Sequence, residues 1–282
     1  MNKACAPVST IVPCYRCADT IDAAVASISA QRLRPAEVLL VDDGSRDGTL
    51  EYLHAVARRH EPGWIRVLGS DMNAGPAAAR NLAWRHAAQP CIAFLDADDT
   101  WHPQKLAVQM GVLEEQPDLA LLAHRMNVQE RGAPPPPQRY PLRVRVVQPH
   151  LLQWRSPFQT PSIVLRRDVP FRFNENFRRS EDFLLWAQIL LSGYRCAKIE
   201  HVLGSLHKPA FGASGLSGDL RAMYAAGRRA RAELYREGFL GWWHYRSADL
   251  LANARYARRR VITRMRERTH RASWARREVH RE

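Results

Sequence analysis

Cys91-Ile92-Ala93-Phe94-Leu95-Asp96-Ala97-Asp98-Asp99 sets an unbroken apolar run directly before three carboxylates in four residues. The apolar half shows no polar alternation and predicts a strand buried on both faces. The acidic half then marks the carboxyl end of that strand. Crowded carboxylates repel one another, and a divalent cation relieves the repulsion. Mg2+ or Mn2+ suits such a site, because it binds one or two carboxylates and fills its shell with substrate phosphates and water. A solvated turn capping the next helix explains the same residues without chemistry.

On either side of this stretch the pattern turns helical. Pro76 stands where a first helical residue would, and the helix runs to about Ala88. His102-Pro103 opens another helix to about Glu115, and Leu119–Ala123 is again strand-like. Further out, Val8–Val12, Glu37–Val41 and Trp64–Leu68 predict strands. Asp19–Gln31 has Ile21, Val25 and Ile28 at helical spacing, and Thr49–Arg59 has Leu50, Leu53 and Val56. Strand and helix alternating in this way predict an α/β fold, a Rossmann-like, mostly parallel sheet flanked by helices. Ligands of such sheets bind beyond the carboxyl ends of the strands. Asp42–Asp47, Asp71–Asn73 and Asp96–Asp99 all follow strands, so they are expected to converge on one sheet edge.

The second half is less regular. Arg131–Pro149, with four consecutive prolines at 134–137, predicts a loop. Thr160–Leu165 predicts a short strand, Glu181–Leu191 an amphipathic helix ended by Gly193, and Cys196–Leu206 a strand. From Ser217 onward the pattern is helical.

Composition narrows the class. Of 282 residues, 46% are hydrophobic, which supports a sizeable packed core. No run approaches twenty apolar residues, and Met1–Pro7 lacks the hydrophobic core of a signal peptide. The five cysteines are scattered, which favours unpaired thiols in a reducing cytoplasm. Cys14-x-x-Cys17 has no second pair to complete a zinc site, while a thioredoxin-like redox motif stays open. Residues 217–282 hold 17 Lys+Arg against 7 Asp+Glu, and residues 1–216 hold 25 against 21. Most of the net charge of +14 therefore sits in the C-terminal segment.

Other residues have chemical and structural readings side by side. Asp42 and Asp43 suit a nucleobase N–H or ribose hydroxyls, or else an Asx turn before Thr49. Asn73-Ala74-Gly75-Pro76 through Arg80-Asn81 opens a helix with small residues, and Arg80 suits a phosphate or a carboxylate. That motif has neither the dinucleotide-binding glycines nor a P-loop lysine. Glu181-Asp182 follows Arg178-Arg179-Ser180 and suits a general base, or a first helical turn capped by Ser180. His207 suits a metal ligand and Lys208 a diphosphate contact, or both are surface residues.

Five of these motifs together resemble glycosyltransferase family 2, the inverting enzymes of the GT-A fold. They are Ile11-Val12-Pro13-Cys14-Tyr15, then Val41-Asp42-Asp43-Gly44-Ser45 with Asp47-Gly48-Thr49, then Asn73-x-Gly75 through Ala79-Arg80-Asn81. Phe94-Leu95-Asp96-Ala97-Asp98-Asp99 and Ser180-Glu181-Asp182 complete them, so the resemblance covers residues 7–215. Cys14 departs from the family, which often has a hydroxyl or small residue there. The resemblance implies a catalytic domain over 1–215 and a basic helical extension over 216–282. It implies that Asp43 recognises the base, with Pro13 and Tyr15 lining its pocket, and that Arg80 lies near the nucleotide. Asp98 corresponds to the metal-binding Asp and Asp96 to its ribose-side or sugar-side partner. Asp182 corresponds to the catalytic base, with Glu181 as its substitute. The expected donor is a nucleoside-diphosphate sugar, a UDP-sugar first, and the acceptor a saccharide or lipid-linked hydroxyl in bacterial surface polysaccharide or glycolipid synthesis.

Residues 217–282 admit three readings: a basic amphipathic helix on anionic membrane lipid, a helical subdomain packed on the catalytic domain, or a nucleic-acid surface that no motif supports. The first places the protein on the cytoplasmic face of the inner membrane. Two other functions compete. A nucleotidyltransferase shares the layout, but Pro13-Cys14-Tyr15-Arg16-Cys17 lacks the glycines of its phosphate loop. A non-catalytic sugar-nucleotide-binding protein needs no base at Asp182.

Overall fold

The computed structural model describes residues 5–137, 141–153, 156–207 and 219–258. The first half follows the expected alternation. Strand β1 (Ala6–Cys14) leads to helix α1 (Ile21–Ser29), β2 (Pro35–Asp42), α2 (Thr49–Ala57), β3 (Ile65–Gly69), α3 (Pro76–His86) and β4 (Cys91–Phe94). β1 pairs in parallel with β2 and β4, and β2 with β3. Side chains of a strand alternate between faces, so one apolar run supplies two cores. Val38 and Leu40 pack with Ile21, Val25 and Ile28 of α1 and Leu53 of α2. Leu39 and Val41 belong to the opposite layer, with Ala77, Ala83 and Trp84 of α3.

The second half is mixed in direction. It comprises β5 (Thr100–Trp101), α4 (Lys105–Glu115), β6 (Leu119–Val128), β7 (Val144–Val146), β8 (Val164–Arg166), α5 (Glu181–Leu191), β9 (Arg195–Leu206) and α6 (Leu220–Arg236). The sheet order is β3-β2-β1-β4-β8-β6-β9-β5, with β7 also paired to β9. β8 lies antiparallel between β4 and β6, while β6 and β9 are parallel. The stretch Thr160–Leu165, expected as one strand, is divided. Thr160–Ser162 forms a 3-10 turn, and the strand occupies Val164–Arg166. Pro161 has no N–H to donate to a sheet ladder, which favours the turn. The expected loop at 131–149 contributes Val144–Val146 as a strand on β9.

Within the basic C-terminal segment, α6 packs on α5. Ala230 and Leu234 of α6 are 0% and 1% exposed and share a core with Leu184, Leu185 and Leu190. After Gly238, at φ +82°, the chain reverses, and residues 242–258 form another helix. Tyr245 stacks on Tyr235 at 5.1 Å and Tyr256 on Tyr224 at 4.2 Å, so the two helices run antiparallel. Among the described residues, no helix is long and apolar enough to cross a membrane.

Candidate active site

The carboxyl ends of β1, β2 and β4 open onto one pocket of about 870 Å3. Its wall includes Asp43, Arg80, Asp96, Asp98 and Asp182, with Pro13 and Tyr15 at one side. The clusters after β2, β3 and β4 therefore meet here through Asp43, Asn73, Asp96 and Asp98, while Asp71 lies outside the wall. A second cavity of about 200 Å3 lies under α6 among Leu152, Phe183, Leu234 and Phe239. It is walled by apolar side chains, histidines and Arg231 and holds no carboxylate, so the acidic chemistry belongs to the larger pocket.

Arg80 is the electrostatic centre of that pocket. Its side chain is 6% exposed and lies 2.8 Å from Asp96 and 3.0 Å from Glu181. Its guanidinium also sits 5.3 Å from the centre of the Phe173 ring. Phe173 packs edge-on against Phe94 and Trp186, so an aromatic block backs the charges. Burial pushes the Arg80 guanidinium down, but Asp96 and Glu181 outweigh it and hold it above its usual value. Arg80 was expected near the nucleotide; its direct partners are two carboxylates, one from each acidic motif.

Glu181 and Asp182 begin α5. Ser180 precedes them at φ +59°, a left-handed conformation unusual for a residue with a Cβ. Its side chain makes no cap hydrogen bond, so the capping reading of Ser180 does not describe this helix end. Asp182 Oδ1 accepts from the Phe183 N–H at 2.7 Å. Its Oδ2 accepts from the Thr160 hydroxyl at 3.4 Å, a long contact. Burial raises the carboxyl pKa of Asp182, and the nearby Asp96 charge adds to it, against the Phe183 N–H, Arg80 and Thr160. Glu181 is raised by burial and by Asp182, against the pull of Arg80.

The two β2-end aspartates separate in role. Asp43 lines the pocket, and its carboxylate accepts from the backbone N–H groups of Ala74 at 2.9 Å and Gly75 at 2.8 Å. It thereby fixes the loop before α3. Burial raises its pKa, opposed by those N–H groups and by Arg178. Asp42 is 2% exposed, accepts from the Ser45 N–H at 3.0 Å, and lies outside the pocket wall. Its geometry is that of the turn. Gly44 carries the turn at φ +67°, and a Cβ there would fall 2.4 Å from the Met72 carbonyl carbon. Gly44→Ala is therefore expected to cost at least about 1–2 kcal/mol from the left-handed backbone alone. It should also part the loops that hold Asp43, so melting temperature and nucleoside-diphosphate affinity should fall together; no change in either would refute the close approach.

Asp98 lines the pocket beside Asp96. Among the described residues, no group of three or more His, Cys, Asp or Glu side chains is assembled to hold a metal. A closed structural site is thus not built there. One or two carboxylate oxygens facing an open pocket do fit Mg2+ or Mn2+, which keep water and take phosphate oxygens. His207 lies outside the pocket wall. Its Nε2 is 2.8 Å from the Thr100 hydroxyl and its Nδ1 is 3.0 Å from the Gln129 carbonyl oxygen, so both nitrogens are engaged. Lys208 lies outside the described residues.

Among the pocket residues that escaped the reading of the sequence, Thr160 and Arg178 make the defining contacts. Thr160, 4% exposed, meets Asp182 because the turn before β8 packs beside α5, and no local pattern announces that. Arg178 donates to the Asn73 carbonyl oxygen at 3.0 Å and so ties the α5 approach to the α3 loop. Its only signal was its position just before Glu181-Asp182.

Comparison with known proteins gives a consistent result. The family described as Glycosyl transferase family 2 matches residues 9–174, more than half of the chain. An uncharacterized glycosyltransferase of Rickettsia felis is 31% identical over 184 residues, covering 64% of this chain and 30% of that protein. This chain therefore spans under a third of that relative's length. The UDP-Glc:alpha-D-GlcNAc-diphosphoundecaprenol beta-1,3-glucosyltransferase WfgD of Escherichia coli is 28% identical over 189 residues, covering 65% of this chain and 69% of that one. The mannosyltransferase PcManGT from Pyrobaculum calidifontis, solved with GDP-Man and Mn2+, shares the fold with a TM-score of 0.63 at 20% identity, over 90% of this chain and 72% of that one.

Proposed function

Because this chain belongs to glycosyl transferase family 2, we propose that it moves a sugar from a nucleoside-diphosphate sugar to an acceptor hydroxyl, with inversion at the anomeric carbon. The observation that carries this reading is the meeting of Asp43, Asp96, Asp98 and Asp182 in one pocket at the strand ends. Asp43, Pro13 and Tyr15 are proposed to receive the base. Asp98, with Asp96 beside it, would hold Mg2+ or Mn2+; such an ion, when bound, neutralises the diphosphate leaving group. Asp182 removes the proton of the acceptor hydroxyl as that oxygen attacks the anomeric carbon from the face opposite the diphosphate. The attack is a single displacement and needs no enzyme nucleophile. The raised pKa of Asp182 strengthens it as a base, since its ionised form is the less comfortable one in the pocket.

A UDP-sugar is the proposed donor, the class named for WfgD. A hydroxyl on a lipid-linked saccharide is the proposed acceptor, which sets the reaction at the cytoplasmic face of a bacterial membrane during surface polysaccharide synthesis. Melting curves with a panel of nucleoside diphosphates and sugar nucleotides, each with Mn2+, test the donor. One nucleotide class should raise the melting temperature, and its sugar should appear in inverted configuration on the acceptor. Stabilisation by none of them would defeat the proposal.

Chelation tests the metal. EDTA is expected to lower transfer by at least about a hundredfold, the effect of some 3 kcal/mol of lost charge stabilisation. Added Mn2+ or Mg2+ should restore it. Asp98→Asn should also remove the Mn2+-dependent part of nucleoside-diphosphate binding. Full transfer in chelator would eliminate the metal.

A further inference from the structure

The helix at 242–258 leaves large apolar side chains on a side turned away from α6. Asp249, its one carboxylate, points inward: it is 6% exposed and lies 3.1 Å from Arg228 and 3.7 Å from Arg231 of α6. The outward side instead bears Trp242, Trp243 and Leu250, which are 49%, 77% and 71% exposed. Exposed Ala254 and Ala257 continue the line. On a helix, Leu250, Ala254 and Ala257 fall within roughly 40° of the meridian of Trp243. Exposed Arg246 and Arg258 flank that stripe, roughly 60° to either side.

We propose that this face docks on an anionic lipid bilayer. Trp243 and Leu250 enter the boundary between headgroups and acyl chains, and the arginines meet lipid phosphates. Charge decides among the candidate occupants. No carboxylate of 242–258 is exposed, so every full charge this helix exposes is an arginine's. The sequence beyond it, 259–282, adds nine Arg against three Glu. A second copy placed on the same face would set arginines against arginines. A polynucleotide would satisfy the arginines but leave Leu250 and the alanine line without purpose. Tryptophan beside a cationic rim is the pairing that membrane interfaces favour.

The location gives the surface a use. Tyr256 stacks on Tyr224 at 4.2 Å, and the neighbouring Met223 lines the active-site pocket. Docking through this helix therefore holds the pocket beside the bilayer. The surface stands on its own observations and does not require the transfer reaction proposed above.

Sedimentation of the full-length protein with vesicles is the test. Phosphatidylglycerol–phosphatidylcholine vesicles should bind it, and pure phosphatidylcholine vesicles should bind it far less. Binding should weaken at least about tenfold between low and half-molar salt. Trp243→Glu combined with Leu250→Glu should lower vesicle partition about thirtyfold. Trp243→Phe with Leu250→Met should keep it within about threefold, since apolar burial is preserved. Three results would overturn the proposal: no binding to anionic vesicles, equal binding by the glutamate variant, or a self-associated species that the glutamate variant dissociates in sedimentation velocity. Nucleoside-diphosphate binding is measured on the same samples. Its failure would count against the transferase reading alone, because Trp243 and Leu250 lie outside the pocket wall.

Discussion

Asp182→Asn is expected to lower transfer by about 10²–10⁴-fold while nucleoside-diphosphate affinity stays unchanged. The geometry explains both halves. Asp182 Oδ1 is committed to the Phe183 N–H at 2.7 Å, and Oδ2 has only the long Thr160 contact at 3.4 Å. Oδ2 is thus the oxygen left to take a proton. Asn keeps the first bond and replaces Oδ2 with an amide nitrogen that accepts none. Affinity survives because the proposed base and metal contacts lie at the ends of β1, β2 and β4, away from α5. Stability should not fall either. A carboxyl pKa raised by folding means that stability is greatest at low pH and is lost as pH rises through the folded value. At neutral pH the ionised Asp182 therefore costs stability, and Asn removes that cost. In the native protein, kcat/KM should rise with pH through a value above the ordinary aspartate range; in the variant that limb should vanish. Transfer at the native rate would strip Asp182 of the role and pass it to Glu181.

The sites of the first half were legible because each rests on a local pattern. Val38–Val41 is apolar at every position, which only a strand covered on both faces tolerates, and Asp42-Asp43 must then emerge at its end. Pro76 and Gly75 mark the start of α3 by backbone chemistry alone. The second half withheld more, since its short antiparallel strands take their direction from tertiary pairing. Three residues at Val164–Arg166 are too few to show a period, and the turn at Thr160–Ser162 has its meaning only opposite Asp182. Side-chain direction was withheld as well. Asp42 and Asp43 are neighbours of identical type, yet one holds a turn and the other lines the pocket, because a strand end sends successive side chains to opposite sides. Arg80 read equally well as a phosphate or a carboxylate partner until the fold delivered two carboxylates to it.

Replacing Arg80 by Met is expected to have the largest effect on stability, a loss of about 3–5 kcal/mol. The reason is what remains behind. Glu181, with its side chain 9% exposed, would keep its charge in the wall with no cation opposite, and Asp96 would lose its 2.8 Å partner. A pair buried this deeply need add little net stability when intact, but its orphaned half costs the full desolvation of a charge. The pH dependence follows. Without Arg80, the folded-state pKa of Glu181 rises further, so the stability deficit is largest at neutral pH and shrinks as Glu181 protonates on acidification. Glu181→Gln in the same chain should recover much of the lost stability, a coupling that a double-mutant cycle measures directly. Transfer should not recover with it, because Asp96 would remain free to turn from its place beside Asp98. The alternative, that Arg80 acts as a phosphate contact, makes the opposite forecast: donor affinity falls, melting is unchanged, and Glu181→Gln rescues nothing. Chemical denaturation of the two single variants and the double variant at two pH values decides between a side chain that binds substrate and one that holds both acidic motifs in position.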